Sequence, residues 1–93
     1  MTIGILRLPL FISDSNSLKD RRMALKSLKA KLRNCFNVSV CEVDDEGKWR
    51  KATLAAVGVN RSPASVNSAL AEVVSFVEVF QRAQLLGYEM EMV

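Results

Sequence analysis

Seven basic residues stand between Ser17 and Cys35: Lys19, Arg21, Arg22, Lys26, Lys29, Lys31 and Arg33, with Asp20 as the only acid. Seven cations less one anion give this segment +6; the whole chain carries +3, so the remainder carries −3. Lys19, Arg22, Lys26, Lys29 and Arg33 recur every three or four residues. On an α-helix they fall within an arc of roughly 80° and run for about 21 Å. Cations so placed can follow several phosphates, displacing condensed counterions without reading bases. A solvated helix face is the plainer alternative, although such a face usually mixes both signs. The candidate nucleic-acid contacts are Lys19, Arg21, Arg22, Lys26, Lys29 and Arg33, and the partner expected is RNA.

Arg21 differs from the others. By helical phase it points between Leu18, Leu25 and Leu28, toward the core side. A buried, unpaired guanidinium is very costly, so Arg21 is expected at the rim of the first turn, paired with Asp14 or Glu42. Anion binding at the helix start is the alternative, with Asp20 opposing it. Trp49, beside Arg50 and Lys51, could stack on a base, but packing over the sheet is the commoner role.

Other chemistry is poorly supplied. The chain has no histidine to act as a base. Cys35 has no evident activating partner and is expected to cap the core inertly. Glu42 and Asp44 would share a face of a straight strand, as solvated or ion-paired carboxylates. Two cysteines without histidine cannot complete a zinc site or a disulfide framework. No enzyme activity, metal or cofactor is expected.

The elements that position these residues follow from periodicity. Thr2 to Ile12 alternates as a strand, with Leu6, Leu8, Leu10 and Ile12 on one side and Ile3, Ile5, Arg7, Pro9 and Phe11 on the other. Pro9 lacks a backbone donor and needs a bulge or an unpaired position. Ser13 to Asn16 is a turn. Ser17 caps a helix that ends near Cys35, with Asp20 completing a capping-box-like pair and Leu18, Leu25, Leu28 and Leu32 as its apolar stripe. Phe36 to Val43 is a second strand. Asp44 to Lys48 is a turn, and Trp49 to Asn60 completes a hairpin. Ser62 and Pro63 open a second helix, buried through Val66, Leu70, Val73, Val77 and Phe80 and flanked by Ala69 and Phe76. Tyr88 to Val93 is the last strand. The halves have a weak two-fold likeness, each strand, helix, strand. Short right-handed crossovers make this a ferredoxin-like α+β fold, with two helices on one face of a four-stranded antiparallel sheet ordered four-one-three-two.

The blocks Ser17-Leu18-Lys19-Asp20-Arg21-Arg22, Phe36-Asn37-Val38-Ser39-Val40, Glu42-Val43-Asp44 and Trp49-Arg50-Lys51-Ala52-Thr53-Leu54 together resemble the bacterial YlxP-like family (domain of unknown function 503). The likeness covers nearly the whole chain. It implies a ferredoxin-like fold and no established activity. Family genes often neighbour those of translation initiation and ribosome-maturation factors, including ribosome-binding factor A, which implies a place near the small ribosomal subunit or its RNA. Val74 and Val79 stand where family members commonly carry charge.

The open face of such a sheet would show Ile3, Ile5, Arg7, Thr53, Ala55 and Val57. It lacks the central-strand aromatics on which RNA-recognition domains of this fold stack bases. Its apolar character suggests a homodimer or another protein partner as the rival role. The first loop has no Gly-rich phosphate cradle of the acylphosphatase kind. Length and composition fit one domain over residues 1–93, with 49% hydrophobic and 25% charged residues. No signal peptide or membrane span is expected, and a reducing, cytoplasmic setting is the simplest one.

Overall fold

The computed structural model describes residues 1–12, 17–44 and 50–93. The turns expected at 13–16 and 45–48, with Trp49, lie outside the described residues. The elements run β1 (Thr2–Phe11), α1 (Leu18–Cys35), β2 (Ser39–Asp44), β3 (Lys51–Asn60), α2 (Pro63–Glu78), β4 (Gln84–Leu85) and β5 (Glu89–Met92). This is the ferredoxin-like β-α-β-β-α-β order, its last strand divided in two.

β1 is the central strand. It pairs antiparallel with β3 over its whole length, from Thr2 opposite Asn60 to Phe11 opposite Lys51. Its alternation separates two faces, as period two requires. Leu6, Leu8, Leu10 and Ile12 are buried under the helices. α1 adds Ala24, Leu25, Leu28 and Leu32 to the same core, and α2 adds Val66, Leu70, Val73, Val74 and Val77. Val74 therefore faces inward, while Val79 is exposed. Ala69, expected on the stripe, is exposed as well. Phe36 caps α1 in extended backbone, donates its N–H to the Leu32 carbonyl and meets Phe76 edge to face at 5.8 Å. Both helices start on serine caps: Ser17 Oγ accepts from the Asp20 amide and Ser62 Oγ from the Ser65 amide.

The remaining lane of the sheet is broken. β4 pairs Leu85 with Leu10, and β5 pairs Glu89 with Arg7. Leu85 to Glu89 is four steps, whereas Arg7 to Leu10 is three, so the edge chain holds one extra residue. Gly87, at φ +138°, accommodates it. The break lies opposite Pro9, whose carbonyl accepts from the Leu86 amide at 2.9 Å and which has no N–H to offer a continuous strand. The strand expected over Tyr88–Val93 is thus β5, and β4 is an additional segment fixed by tertiary pairing.

α2 lies close over β1. A Cβ on Gly4 would stand 2.4 Å from Val66 Cγ1 and 2.6 Å from Leu70 Cδ1. Gly4→Ala is expected to cost about 1–3 kcal/mol through overpacking. In urea unfolding, Gly4→Ala/Val66→Ala should then lose less stability than the two single changes added together, because removing Cγ1 relieves the clash. Simple additivity would show that α2 does not press on β1 at this point.

Candidate nucleic-acid interface

The first turn of α1 presents a buried cation. At about 100° per residue, Arg21 falls near the middle of the arc set by Ala24, Leu25, Leu28 and Leu32, and Leu18 falls about 60° to one side. Arg21 is accordingly 7% exposed and Leu18 52%. The guanidinium takes the core position expected for Leu18. Its Nη2 donates to Glu42 Oε1 in a short ion pair and to the Lys51 carbonyl at 3.4 Å. Of the two partners expected, Glu42 is the one observed; Asp14 lies outside the described residues. Its Nε is buried without a hydrogen-bond partner among the described residues. Arg21 ties α1 to β2 and β3 and is withdrawn from the set of surface contacts.

The other five candidates lie on an outer flank. Lys19, Arg22, Lys26 and Arg33 are exposed and Lys29 is half-buried. Among the described residues the ion pairs are Arg7–Glu91 and Arg21–Glu42, and neither draws on this stripe. Lys31 lies on the opposite flank, with Nζ 5.6 Å from the ring of Phe80, which follows the C-cap of α2 and is half-buried instead of completing that helix's stripe. The stripe therefore faces away from α2 and overlooks β2, the terminal strand in the order β2-β3-β1-β4. Arg33 is partly committed there: its Nη2 donates to the Val40 carbonyl at 2.8 Å. That bond caps an edge-strand acceptor, and the guanidinium keeps further donors for a ligand.

The open sheet face is as apolar as expected. Phe11 adds an aromatic to the open face beyond the positions expected there, in register opposite Lys51 at the end of β1. It is half-buried and far from the strand centre used for base stacking. Its place on the odd-numbered side of β1 was the available signal.

Groups suited to bond-making chemistry are dispersed. Cys35 and Cys41 are free, exposed thiols, so Cys35 does not cap the core. Glu42 is held by Arg21. A register shift lies between Glu42 and Asp44, which pair with Leu54 and Thr53, so the strand is not straight there. A cleft of about 250 Å³ opens between the end of α1 and the start of α2, floored by Gly58, Val66 and Leu70, with Glu72 at its margin. Among the described residues no group of three His, Cys, Asp or Glu side chains is placed to hold a metal. Among the described residues no helix is long and apolar enough to cross a membrane.

Comparison with known proteins agrees with this architecture. The model of the family described as Protein of unknown function (DUF503) matches residues 3–90, and the chain belongs to that family. It is 30% identical over 78 residues to Uncharacterized protein YlxP of Bacillus subtilis (strain 168), covering 84% of this chain and 85% of that protein. Among solved structures it is similar to SnoaB, a cofactor-independent oxygenase from Streptomyces nogalater, with a TM-score of 0.53 and 9% identity over 99% of this chain and 90% of that one. A dimeric ferredoxin-like protein from an uncultured marine organism aligns with a TM-score of 0.49 and 13% identity, over 99% and 92% of the two chains. Likeness at 9% identity concerns the fold alone.

The Arg21–Glu42 pair makes a stability prediction. Glu42→Ala leaves a buried guanidinium without its carboxylate and is expected to cost about 3 kcal/mol or more. Arg21→Met/Glu42→Leu, which removes both charges, should be milder than Glu42→Ala in chemical denaturation. A double variant at least as unstable as the single one would show that the pair is not the source of the loss.

Proposed function

We propose that this DUF503-family chain is a non-catalytic, cytoplasmic domain that docks on RNA phosphates, at or near the small ribosomal subunit, through the outer flank of α1. Lys19, Arg22, Lys26 and Lys29 make the contacts, and Arg33 adds its remaining donors at the far end. The observation that carries this reading is a row of cations about 21 Å long that no carboxylate among the described residues neutralises. Cations left unpaired over that length gain binding free energy by releasing counterions from a phosphate backbone.

The mode of recognition follows from the same arrangement. A helix flank of Lys and Arg contacts backbone and positions the protein, and sequence readout is slight. The open sheet face does not take part by base stacking, since its central positions, Ile5, Arg7, Ala55 and Val57, include no aromatic. The absence of histidine from the chain and the ion pairing of Glu42 favour a binding role over acid–base catalysis.

Filter binding to a single-stranded ribosomal RNA fragment across a potassium chloride series tests the proposal. Replacing Arg22, Lys26 and Lys29 together by glutamine should weaken binding and lower the slope of log K against log salt by about 2, at about 0.7 per lost contact. Lys31→Gln, on the other flank, should leave both nearly unchanged. Binding by the triple variant equal to that of the natural sequence would remove α1 from the interface.

A further inference from the structure

The side of the sheet turned away from the helices is a second surface, and no part of the described chain covers it. Its registers run Ile3 opposite Val59, Ile5 opposite Val57, Arg7 opposite Ala55 and Pro9 opposite Thr53. β2 adds Ser39 and Cys41 beside Val57 and Ala55, and β5 adds Glu91 and Glu89 beside Ile5 and Arg7. Ile3, Ile5 and Val57 are half-buried, Ala55 is buried beside the exposed Arg7, and Val59 is 52% exposed. We propose that this face binds a second copy of the same chain, giving a two-fold dimer with the sheets packed face to face.

Two observations select that occupant. The first is charge. The strand positions on this face carry Arg7 and Lys51 against Glu89 and Glu91, two of each sign, and Arg7 Nη1 already meets Glu91 Oε2 at 3.3 Å. A two-fold contact sets a patch against its own copy, so any net charge would face itself and repel. α1, by contrast, is strongly one-signed. The second is area. β1 and β3 have 10 residues each, β2 has 6, and β4 and β5 together supply another lane. At about 3.4 Å per residue and about 4.8 Å between strands, the face covers roughly 500 Å² per copy. Two copies bury roughly 1,000 Å², the lower bound for a specific interface. An interface of this size is of the weak, reversible class, and it resists salt because burial and not long-range charge holds it. Both α1 helices stay on the outside, on opposite sides of the pair. The proposal is independent of RNA binding, and its test contains no nucleic acid.

Sedimentation equilibrium of the protein from about 1 µM to about 200 µM covers the micromolar range. The mass should rise from 10.3 kDa toward twice that value, with little change between low and high salt. Val57→Glu and Val57→Lys, each at the middle of the face, should abolish the rise, whereas Val79→Glu on the helix side should not. A perturbation made after folding guards against misfolded variants: Cys41, an exposed thiol at an open-face register, is alkylated with a bulky maleimide in a folded Cys35→Ser background. Alkylation should hold the mass at the monomer value. A natural chain that stays monomeric throughout, or a doubled mass that survives alkylation of Cys41, overturns the proposal.

Discussion

Everything in this fold is arranged around the two faces of β1. Leu6, Leu8, Leu10 and Ile12 are at most 1% exposed, and all four lie on the same side of the strand. A slip of one residue would turn that row outward. The constraint fixes the register of β3 on one side and of β4 and β5 on the other. It requires both helices to cover a single face. It also leaves the alternate row, Ile3, Ile5, Arg7, Pro9 and Phe11, without a covering layer among the described residues. The core and the candidate dimer surface are thus two consequences of one alternation.

Within that frame, α1 carries two kinds of cation with different tasks. Arg21 occupies a core position and is tolerable there only because Glu42 lies within reach on β2. It works as a strut between helix and sheet. The stripe from Lys19 to Arg33 lies on the outer flank, and Arg33 sits between the two roles, spending one donor on the edge-strand carbonyl of Val40. Lys31 is turned to α2 and lies over Phe80. Counting basic residues along the segment does not separate these roles. Their azimuth around the helix does.

The functional surfaces are correspondingly divided. The proposed polyanion contact lies on a helix flank beside β2, and the proposed self-association on the opposite side of the sheet. Neither uses the cleft between the end of α1 and the start of α2. A dimer built on the sheet would display two basic flanks pointing apart, so that one RNA segment on each, or one long segment wrapped around the pair, could be held at once.

Much of the architecture was legible in the linear sequence because period-two and period-3.6 patterns report burial locally. The leucine row of β1, most of the α2 stripe (Val66, Leu70, Val73 and Val77) and the two serine caps follow from spacing, and the ladder order of the sheet follows from right-handed crossovers. The Arg21 ion pair was half legible: helical phase placed the side chain inward, but only the fold brought Glu42, 21 residues away, to meet it. What tertiary structure decided lies where local periodicity carries no information. The Lys51 carbonyl joins Glu42 as a partner of Arg21 because β3 lies beside β2. The last lane divides into β4 and β5 because Pro9, far off in sequence, cannot donate to a continuous neighbour. The straight strand expected at Glu42 and Asp44 is broken by a register shift against β3. Each of these depends on a partner from another element, and a chain read in order reports the demand for such a partner without showing which residue meets it.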